Sequence, residues 1–219
     1  MWSYYGSKRK IAHLYPKPIY ELIIEPFAGS AWYSVLHRNK NVILNDKYEV
    51  IHDIWDWLIN SATSDTILKN SDFFVGQDIS NLELDKAHKD LIGFSINRGS
   101  VAPCNIVQKW NCQVSSNPEW ASTTNFQLKR ISTLLAEIKH WKVSKKDYTD
   151  LDNIECTWFI DPPYQFGGER YKVSDVNYAT LREWIMTRKG QVIVCENSKA
   201  QWLNFSPLCN TFGQKKTIE

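Results

Sequence analysis

Two patterns of hydrophobic residues alternate along most of the chain: short continuous apolar runs, and apolar residues at helical spacing. Five short apolar runs of the kind found in buried strands lie at residues 22–25, 41–46, 141–143, 157–160 and 191–195. Apolar residues at helical spacing predict helices at residues 31–38, 50–59, 126–138 and 178–186. Strands that alternate with helices predict an α/β fold with a mostly parallel sheet flanked by helices, in a Rossmann-like arrangement.

The middle of the chain has a different pattern. Between residues 60 and 126 the periodicity weakens and Asn, Ser and Asp become frequent, with one further helix predicted near residues 87–96. We interpret residues 60–126 as an inserted, partly helical lobe. Residues 1–59 and 127–219 then form the main domain.

Several polar loops follow the predicted strands. They lie at residues 25–30, 46–48, 147–148 and 161–166. Ligands of parallel α/β sheets bind in the crevice beyond the carboxyl ends of the strands. The sequence therefore predicts that these loops share one site.

Composition excludes several classes of protein. The 219 residues are 43% hydrophobic, and no apolar run reaches the roughly 18–20 residues of a membrane helix, so no membrane partner is expected. The five cysteines include no CxxC pair and the five histidines have no metal spacing. We therefore expect no disulfide framework, no metal and a cytoplasmic location.

Charge is unevenly distributed, although the net charge is only +2. Basic residues concentrate at 8–17 and 129–146, whereas the stretch 46–90 is acidic. Local basic segments on a nearly neutral chain favour a polyanionic binding partner from which the protein can dissociate again. Solvated faces of ordinary helices are the alternative interpretation.

The segment Asp161-Pro162-Pro163-Tyr164 carries the most specific chemistry. It follows the apolar run 156–160. The Asp161 carboxylate and the Pro162 carbonyl are placed to accept the two protons of a planar amine, and an exposed Tyr164 ring is expected to stack on the base. Consecutive prolines make the turn rigid. The pattern predicts methylation of a nucleobase amino group; a purely structural turn is the alternative.

A second loop, Glu25-Pro26-Phe27-Ala28-Gly29, follows the first strand. Gly29 allows a tight turn and close approach of the backbone to a ligand. The loop lacks the GK[ST] of a phosphate-binding loop, which disfavours a nucleoside triphosphate. Asp46 follows the second strand, where a carboxylate can accept hydrogen bonds from ribose hydroxyls. A plain strand–helix turn and an ordinary polar strand end are the alternatives.

These motifs, in this order, resemble the Dam-type (D12 class) N6-adenine DNA methyltransferases of the α group. The resemblance spans nearly the whole chain and is weakest between residues 60 and 126. The matching segments are Tyr4-Tyr5-Gly6-Ser7-Lys8, Glu25–Gly29, Asn45-Asp46, Asp147-Tyr148 and Asp161–Tyr164.

The resemblance implies an S-adenosylmethionine-dependent methyltransferase fold, with the inserted lobe recognising the target. It implies double-stranded DNA with a flipped-out adenine as substrate, a bacterial or phage source and a possible cognate restriction nuclease. The implied catalytic residues are Asp161, Pro162, Pro163 and Tyr164. The implied cofactor-binding residues are Tyr4, Lys8, Glu25, Pro26, Phe27, Gly29, Asp46, Asp147, Tyr148 and Asp161. Candidate nucleic-acid contacts are Arg9, Lys10, Asn97, Arg98, Lys109 and Trp110.

Two departures from the family pattern change the expectations. Ala31 stands where the family usually has glycine, which is tolerable if its φ stays negative. Ser100-Val101-Ala102-Pro103 replaces the usual continuation after Asn97-Arg98-Gly99, so a GATC target does not follow. The alternatives left open are an RNA adenine-N6 or cytosine-N4 methyltransferase, and a nucleic-acid-binding module without catalysis. The alternative to a cofactor contact is an ordinary surface lysine for Lys8 and an ordinary core aromatic residue for Tyr4.

Overall fold

In the computed structural model, residues 1–69, 73–96, 99–108 and 123–209 are described. They contain one five-stranded sheet in which every strand pair is parallel. The strands are β1 (Leu22–Glu25), β2 (Asn41–Asn45), β3 (Lys142–Ser144), β4 (Cys156–Ile160) and β5 (Gly190–Val194). The predicted parallel α/β fold is confirmed, and the predicted strands agree with the observed ones to within one residue at each end.

Within the described ranges, six α-helices connect or cover the strands. They are α1 (Trp32–Leu36), α2 (Glu49–Asp56), α3 (Ser64–Leu68), α4 (Lys86–Ile96), α5 (Thr123–Ile138) and α6 (Tyr178–Met186). A π-helical turn, Trp57–Ser61, extends α2, and 3-10 turns occur at Ala12–Leu14, Ile79–Asn81, Tyr148–Asp150 and Gly168–Arg170. The sequence pattern missed α3 because its five residues are too short for a periodic signal. The helix begins instead with a capping box between Thr63 and Thr66.

The sheet is buried on both faces, which explains the uninterrupted apolar runs of its strands. Successive strand residues point to opposite faces, so Ile23 belongs to one hydrophobic core and Ile24 to the other. The first core also contains buried residues of α2, α4 and α5, and the second contains those of α6. Helices therefore cover both sides of the sheet, as predicted.

The described part of the segment 60–126 packs into the first of these cores. Ile67 of α3 and Leu91 of α4 are fully buried there, in the cluster that includes Ile23 and Leu44 of the sheet. Lys139, near the end of α5, donates hydrogen bonds to the carbonyls of Leu58 and Ala62. These bonds satisfy carbonyl groups at the end of the π-helical turn. The boundary of the lobe stays a prediction.

The strand order β3-β2-β1-β4-β5 places a switch in direction between β1 and β4. The chain runs from β1 outward to β2 and β3, and then returns to the other side of β1 to form β4 and β5. At such a point the loops that follow the two central strands separate and leave a crevice. No helix within the described ranges has the length and apolar character needed to span a bilayer.

Candidate functional site

A cavity occupies the crevice at the switch point. It encloses about 870 Å³, including its open mouth, and its walls come from the segments 4–8, 25–32, 46–48 and 146–148 and from β4's following loop. The prediction that these loops share one site is confirmed. All ten predicted cofactor-binding residues line the cavity: Tyr4, Lys8, Glu25, Pro26, Phe27, Gly29, Asp46, Asp147, Tyr148 and Asp161.

Lys8 and Asp161 form an ion pair within this cavity. The Lys8 ammonium donates to Asp161 Oδ2 at 2.5 Å and to the Gly6 carbonyl at 2.9 Å. Burial raises the pKa of Asp161, while the Lys8 charge and hydrogen bond, and the Tyr164 hydroxyl, lower it in part. The other oxygen, Oδ1, is buried and accepts no hydrogen bond of ordinary geometry from the described residues. The Tyr164 hydroxyl therefore lies near this carboxylate, while Oδ1 has no hydrogen-bond partner of ordinary geometry among the described residues.

The two prolines after Asp161 are buried, and the second is held from outside the loop. The Tyr178 hydroxyl donates to the Pro163 carbonyl at 2.9 Å, which couples the turn to the start of α6. Burial and the carboxylates of Glu196 and Glu169 raise the pKa of Tyr178 to about 12, so the hydroxyl remains a donor. The backbone rigidity predicted from the Pro-Pro pair is thus reinforced by a tertiary contact.

Tyr164 differs from the expectation of an exposed ring. Its side chain is partly buried, packs against the larger core and does not line the cavity. The Lys8 ammonium lies 4.9 Å from the ring centroid, within the range of a cation–π contact. One face of the ring is therefore already covered. The prediction of an exposed ring is wrong because contacts with the hydrophobic core bury part of Tyr164.

Glu25 is the second carboxyl group near the ion pair. Its side chain is only 2% exposed and accepts a hydrogen bond from the Ser34 amide at 2.9 Å. Burial raises its pKa to about 8, against the opposing hydrogen bonds from Ser34. The group is therefore largely protonated at neutral pH. Asp161 raises the pKa of Glu25 further, because two carboxylates in one buried site repel each other.

The loop between β1 and α1 contains two left-handed residues. Gly29 has φ of 48°, and a Cβ atom at this position would lie 3.1 Å from Tyr4 Cδ1. Ala31 has φ of 46° and ψ of 43°, so the condition under which alanine would be tolerated without strain is not met. Among the described residues it is the one non-glycine residue with positive φ. The side chain is 3% exposed, and the tight turn into α1 imposes this conformation on it.

Asp46 connects two loops through both of its oxygens. It accepts the Gly29 amide at 2.9 Å through Oδ2 and the Tyr48 amide at 2.9 Å through Oδ1. Burial raises its pKa to about 6, and these amides counteract the rise. Each carboxylate oxygen can accept a further hydrogen bond. The contact between Asp46 and a ribose stays a prediction. The two amides already hold the Asp46 carboxylate in a fixed position.

Asn45 organises the same region and has a role that the sequence pattern did not reveal. This buried side chain donates to the carbonyls of Pro26 and Lys146 and accepts from the Lys146 amide and the Ser144 hydroxyl. It therefore ties together the loops that follow β1 and β3. The sequence shows an asparagine at the end of a strand, but its four hydrogen bonds are made with three residues of distant segments, Pro26, Ser144 and Lys146.

Asp147 and Tyr148 stand at the end of the cavity beside β3. Asp147 pairs with Lys47 at 2.8 Å and caps the short turn that begins at Tyr148, through Thr149. The hydrogen bond from Lys47 lowers the pKa of Asp147 and keeps it ionised. The Tyr148 ring lies 5.4 Å from that of Phe27, so two aromatic rings form one wall. These partners give Asp147 a structural role beside the predicted cofactor contact.

Tyr171 closes the cavity from the loop after Asp161–Tyr164. Its hydroxyl donates to the Tyr5 carbonyl at 3.1 Å, and its ring packs against those of Tyr4 and Tyr5. In return, the Tyr5 hydroxyl approaches the Gly167 carbonyl at 3.5 Å. The loop between Phe166 and Lys172 contains Gly167 and Gly168. Sequence alone did not indicate that it would dock on the N-terminal segment.

The predicted nucleic-acid contacts fall into two groups. Arg9 and Lys10 are exposed next to Lys8. Four others lie outside the described residues: Asn97, Arg98, Lys109 and Trp110. In the basic segment 129–146, Lys145 pairs with Glu49 and Lys139 caps the π-helical turn, so these two charges have partners within the protein.

The arrangement combines a free buried acceptor, ionisable carboxyl groups and an aromatic wall in one crevice. Within the described ranges, no group of three His, Cys, Asp or Glu side chains is placed to hold a metal ion. In comparisons with known proteins, neither a protein-family model nor a curated sequence matches the chain. What the site does must therefore be argued from its geometry and chemistry.

Proposed function

We propose that this protein transfers a methyl group from S-adenosylmethionine to the N6 amino group of adenine in DNA. The observation that carries the proposal is the free Oδ1 of Asp161, buried in the same cavity as the loops after β1, β2 and β3. A buried acceptor without a partner suits a ligand that brings a hydrogen-bond donor. An exocyclic amine of a base is such a donor.

The residues of the cavity fit S-adenosylmethionine in their chemistry. Asp46 and Asp161 suit a ligand that carries an ammonium and a sulfonium group, and the protonated Glu25 carboxyl can still accept a hydrogen bond. Phe27 and Tyr148 form an aromatic wall suited to an adenine ring. A side chain at Gly29 would crowd Tyr4, so the glycine keeps this side of the cavity open. When bound, the cofactor would supply an electrophilic methyl group.

Asp161 has two separate tasks in the proposed reaction. Through Oδ2 it is held by Lys8, which favours the ionised carboxylate despite burial. Through Oδ1 it would accept one proton of the target amine and orient the nitrogen lone pair towards the methyl group. Transfer of the methyl group would leave S-adenosylhomocysteine, and the carboxylate would stabilise the positive charge on the methylated amine until its extra proton is lost to solvent. Such groups are most effective when they are fixed in advance.

The Pro162 carbonyl would accept the second amine proton. Its position is fixed by the buried Pro-Pro turn and by the bond from Tyr178 to the Pro163 carbonyl. A base could stack only on the part of the Tyr164 ring that neither Lys8 nor the core covers. Such stacking contributes about 1–3 kcal/mol and offsets part of the few kcal/mol needed to flip the base out of a duplex.

Replacement of Asp161 tests the proposal. We expect Asp161→Ala to lower methyl transfer from S-adenosylmethionine to duplex DNA at least about 100-fold, because proton acceptance and charge stabilisation are both lost. The folded state should persist, as judged by circular dichroism. Asp175→Asn is a matched control, since this exposed carboxylate also lines the cavity but has no assigned role in the chemistry.

The product identifies the substrate class. Mass analysis of nucleosides should find N6-methyladenine in DNA exposed to the wild-type protein. N4-methylcytosine, or a product found in RNA alone, would contradict the proposal in favour of a related methyltransferase. Absence of S-adenosylmethionine binding in calorimetry would favour a binding module without catalysis.

A further inference from the structure

A second cluster of polar groups lies at the edge of the cavity, around Trp32. The Arg130 guanidinium lies 4.9 Å from the Trp32 ring centroid and that of Arg9 lies 5.7 Å from it. Arg130 also approaches the ring of Phe126, at 5.7 Å. Two arginines from distant segments therefore contact the same indole ring. We call Arg9, Trp32, Phe126 and Arg130 the arginine–tryptophan cluster.

The positive charges of this cluster have no carboxylate partner in the described part of the chain. Neither Arg9 nor Arg130 forms an ion pair there, and the charge of Arg9 helps to lower the pKa of Arg130 to about 10, after burial. Like charges held together at a partly buried site are costly unless an anion joins them.

Unpaired polar atoms in the cluster are all donors. Arg130 Nε and Trp32 Nε1 are buried without a hydrogen-bond partner in the described residues. Guanidinium and indole N–H groups can donate but not accept. One Arg130 nitrogen donates to the Met1 carbonyl at 2.5 Å, which holds the side chain in place and leaves its other donors available. A ligand at this cluster would therefore have to supply acceptor atoms, and the two guanidinium charges favour an anion.

Part of the cluster is exposed to solvent outside the cavity, although Trp32 Nε1 and Arg130 Nε are buried. Arg9 is exposed and Phe126 is 53% exposed, and of the four residues only Trp32 lines the cavity. A ligand here lies beside the bound cofactor and outside its pocket. Exposed aromatic rings that alternate with cationic side chains are typical of surfaces that follow a nucleic-acid backbone.

We infer that Arg9 and Arg130, supported by Trp32, bind a backbone phosphate of the nucleic-acid substrate at the edge of the cavity. This inference rests on the proposed function, because it assumes a nucleic acid beside the cofactor. Arginine suits the role since its planar fork matches phosphate oxygens and stacks on aromatic rings. A phosphate contact fixes where the strand lies without reading its sequence. Arg130 and Trp32 thereby acquire a positioning role in substrate binding.

The test measures binding of a labelled DNA duplex by fluorescence anisotropy at about 50–200 mM salt. We expect Arg9→Gln and Arg130→Gln each to weaken binding about tenfold at the lowest salt. Each should also reduce the slope of log K against log salt by about 0.9, the value of one phosphate contact. Arg182→Gln is the control, since this exposed arginine lies on α6, on the other side of the sheet. It should leave both quantities unchanged.

The outcomes separate this inference from the proposed function. If the wild-type protein binds the duplex and both variants keep its salt slope, the inference is wrong and the proposed function stands. If the wild-type protein binds no duplex, both are wrong. Tight binding of inorganic phosphate in calorimetry would assign the cluster to a small phosphorylated ligand and overturn the inference. Should Arg130→Gln lower the unfolding temperature, Arg9→Gln decides, because its side chain is exposed. Affinity for S-adenosylmethionine should not change in either variant.

Discussion

Lys8 and Asp161 are 153 positions apart in the chain, yet their side chains meet at 2.5 Å in the crevice between β1 and β4. The lysine is 7% exposed and the aspartate 20%, so solvent screens the pair only weakly. Lys8 occupies one oxygen of the carboxylate and leaves the other free. The N-terminal segment therefore sets the charge and the orientation of the group that follows the fourth strand.

Loss of the Lys8 charge should shift the pH dependence of methyl transfer. Burial raises the pKa of Asp161 and Lys8 counteracts that rise, so Lys8→Met should raise the pKa further and reduce the ionised fraction at a given pH. Single-turnover rates measured against pH should show the acidic limb displaced to higher pH. Lys17→Met, at an exposed lysine, should keep the wild-type profile. An unshifted limb in Lys8→Met would show that the ion pair does not control Asp161.

Gly6 allows the close contact between the N-terminal segment and Tyr171. Its φ is 71°, and a Cβ atom there would lie 2.0 Å from the Tyr171 hydroxyl. Gly6→Ala should therefore displace Tyr171 from the Tyr5 carbonyl and weaken S-adenosylmethionine binding, measured by calorimetry. Gly99→Ala is the matched control, because Gly99 has φ of 69° and no atom of the described residues lies within 4 Å of the added Cβ. Both variants carry the left-handed backbone cost of about 1–2 kcal/mol. Equal cofactor affinity in the two variants would contradict a role for Tyr171.

Ala31 is strained in the present sequence. Since its φ is 46°, Ala31→Gly should remove a steric cost and stabilise the protein by up to about 1 kcal/mol. Urea denaturation would measure the change in the free energy of unfolding. Ala136→Gly, at an exposed position within α5, should destabilise by about 0.5–1 kcal/mol. Loss of stability in both variants would show that Ala31 is not strained.

Glu25 should make stability depend on pH in an unusual direction for a carboxyl group. Its pKa is raised from 4.5 to about 8 in the folded protein, so between these values the folded state holds a proton that the unfolded state has released. The free energy of unfolding should therefore fall as pH rises through this window. Glu25→Gln mimics the protonated form and should be more stable than wild type above pH 8.

Denaturation curves at several pH values would check this prediction. Glu21→Gln provides the comparison, since Glu21 lies just before the same strand, is exposed and pairs with Lys40 at the surface. It should reproduce the pH dependence of wild type. If Glu25→Gln also reproduces it, the Glu25 carboxyl is not protonated in the folded state.

The sequence by itself determined the class of fold and the composition of the site. Apolar runs located all five strands because parallel strands are buried on both faces and leave a continuous signal. Once the strands were known to be parallel, their carboxyl ends had to share one edge. The loops carrying Glu25, Asp46, Asp147 and Asp161 could then be placed in a single crevice from the sequence alone. Short α3 and the docking of Tyr171 left no comparable periodic signal.

Only the tertiary structure decided how these side chains are used. Whether Tyr164 is exposed, whether Ala31 has positive φ and which oxygen of Asp161 remains free all depend on contacts between distant segments. The same holds for the arginine–tryptophan cluster, whose members come from residues 9, 32, 126 and 130. Hydrophobic periodicity reports which residues are buried. It does not report which neighbour a polar group meets, because that depends on a few ångströms of packing between elements that are remote in sequence.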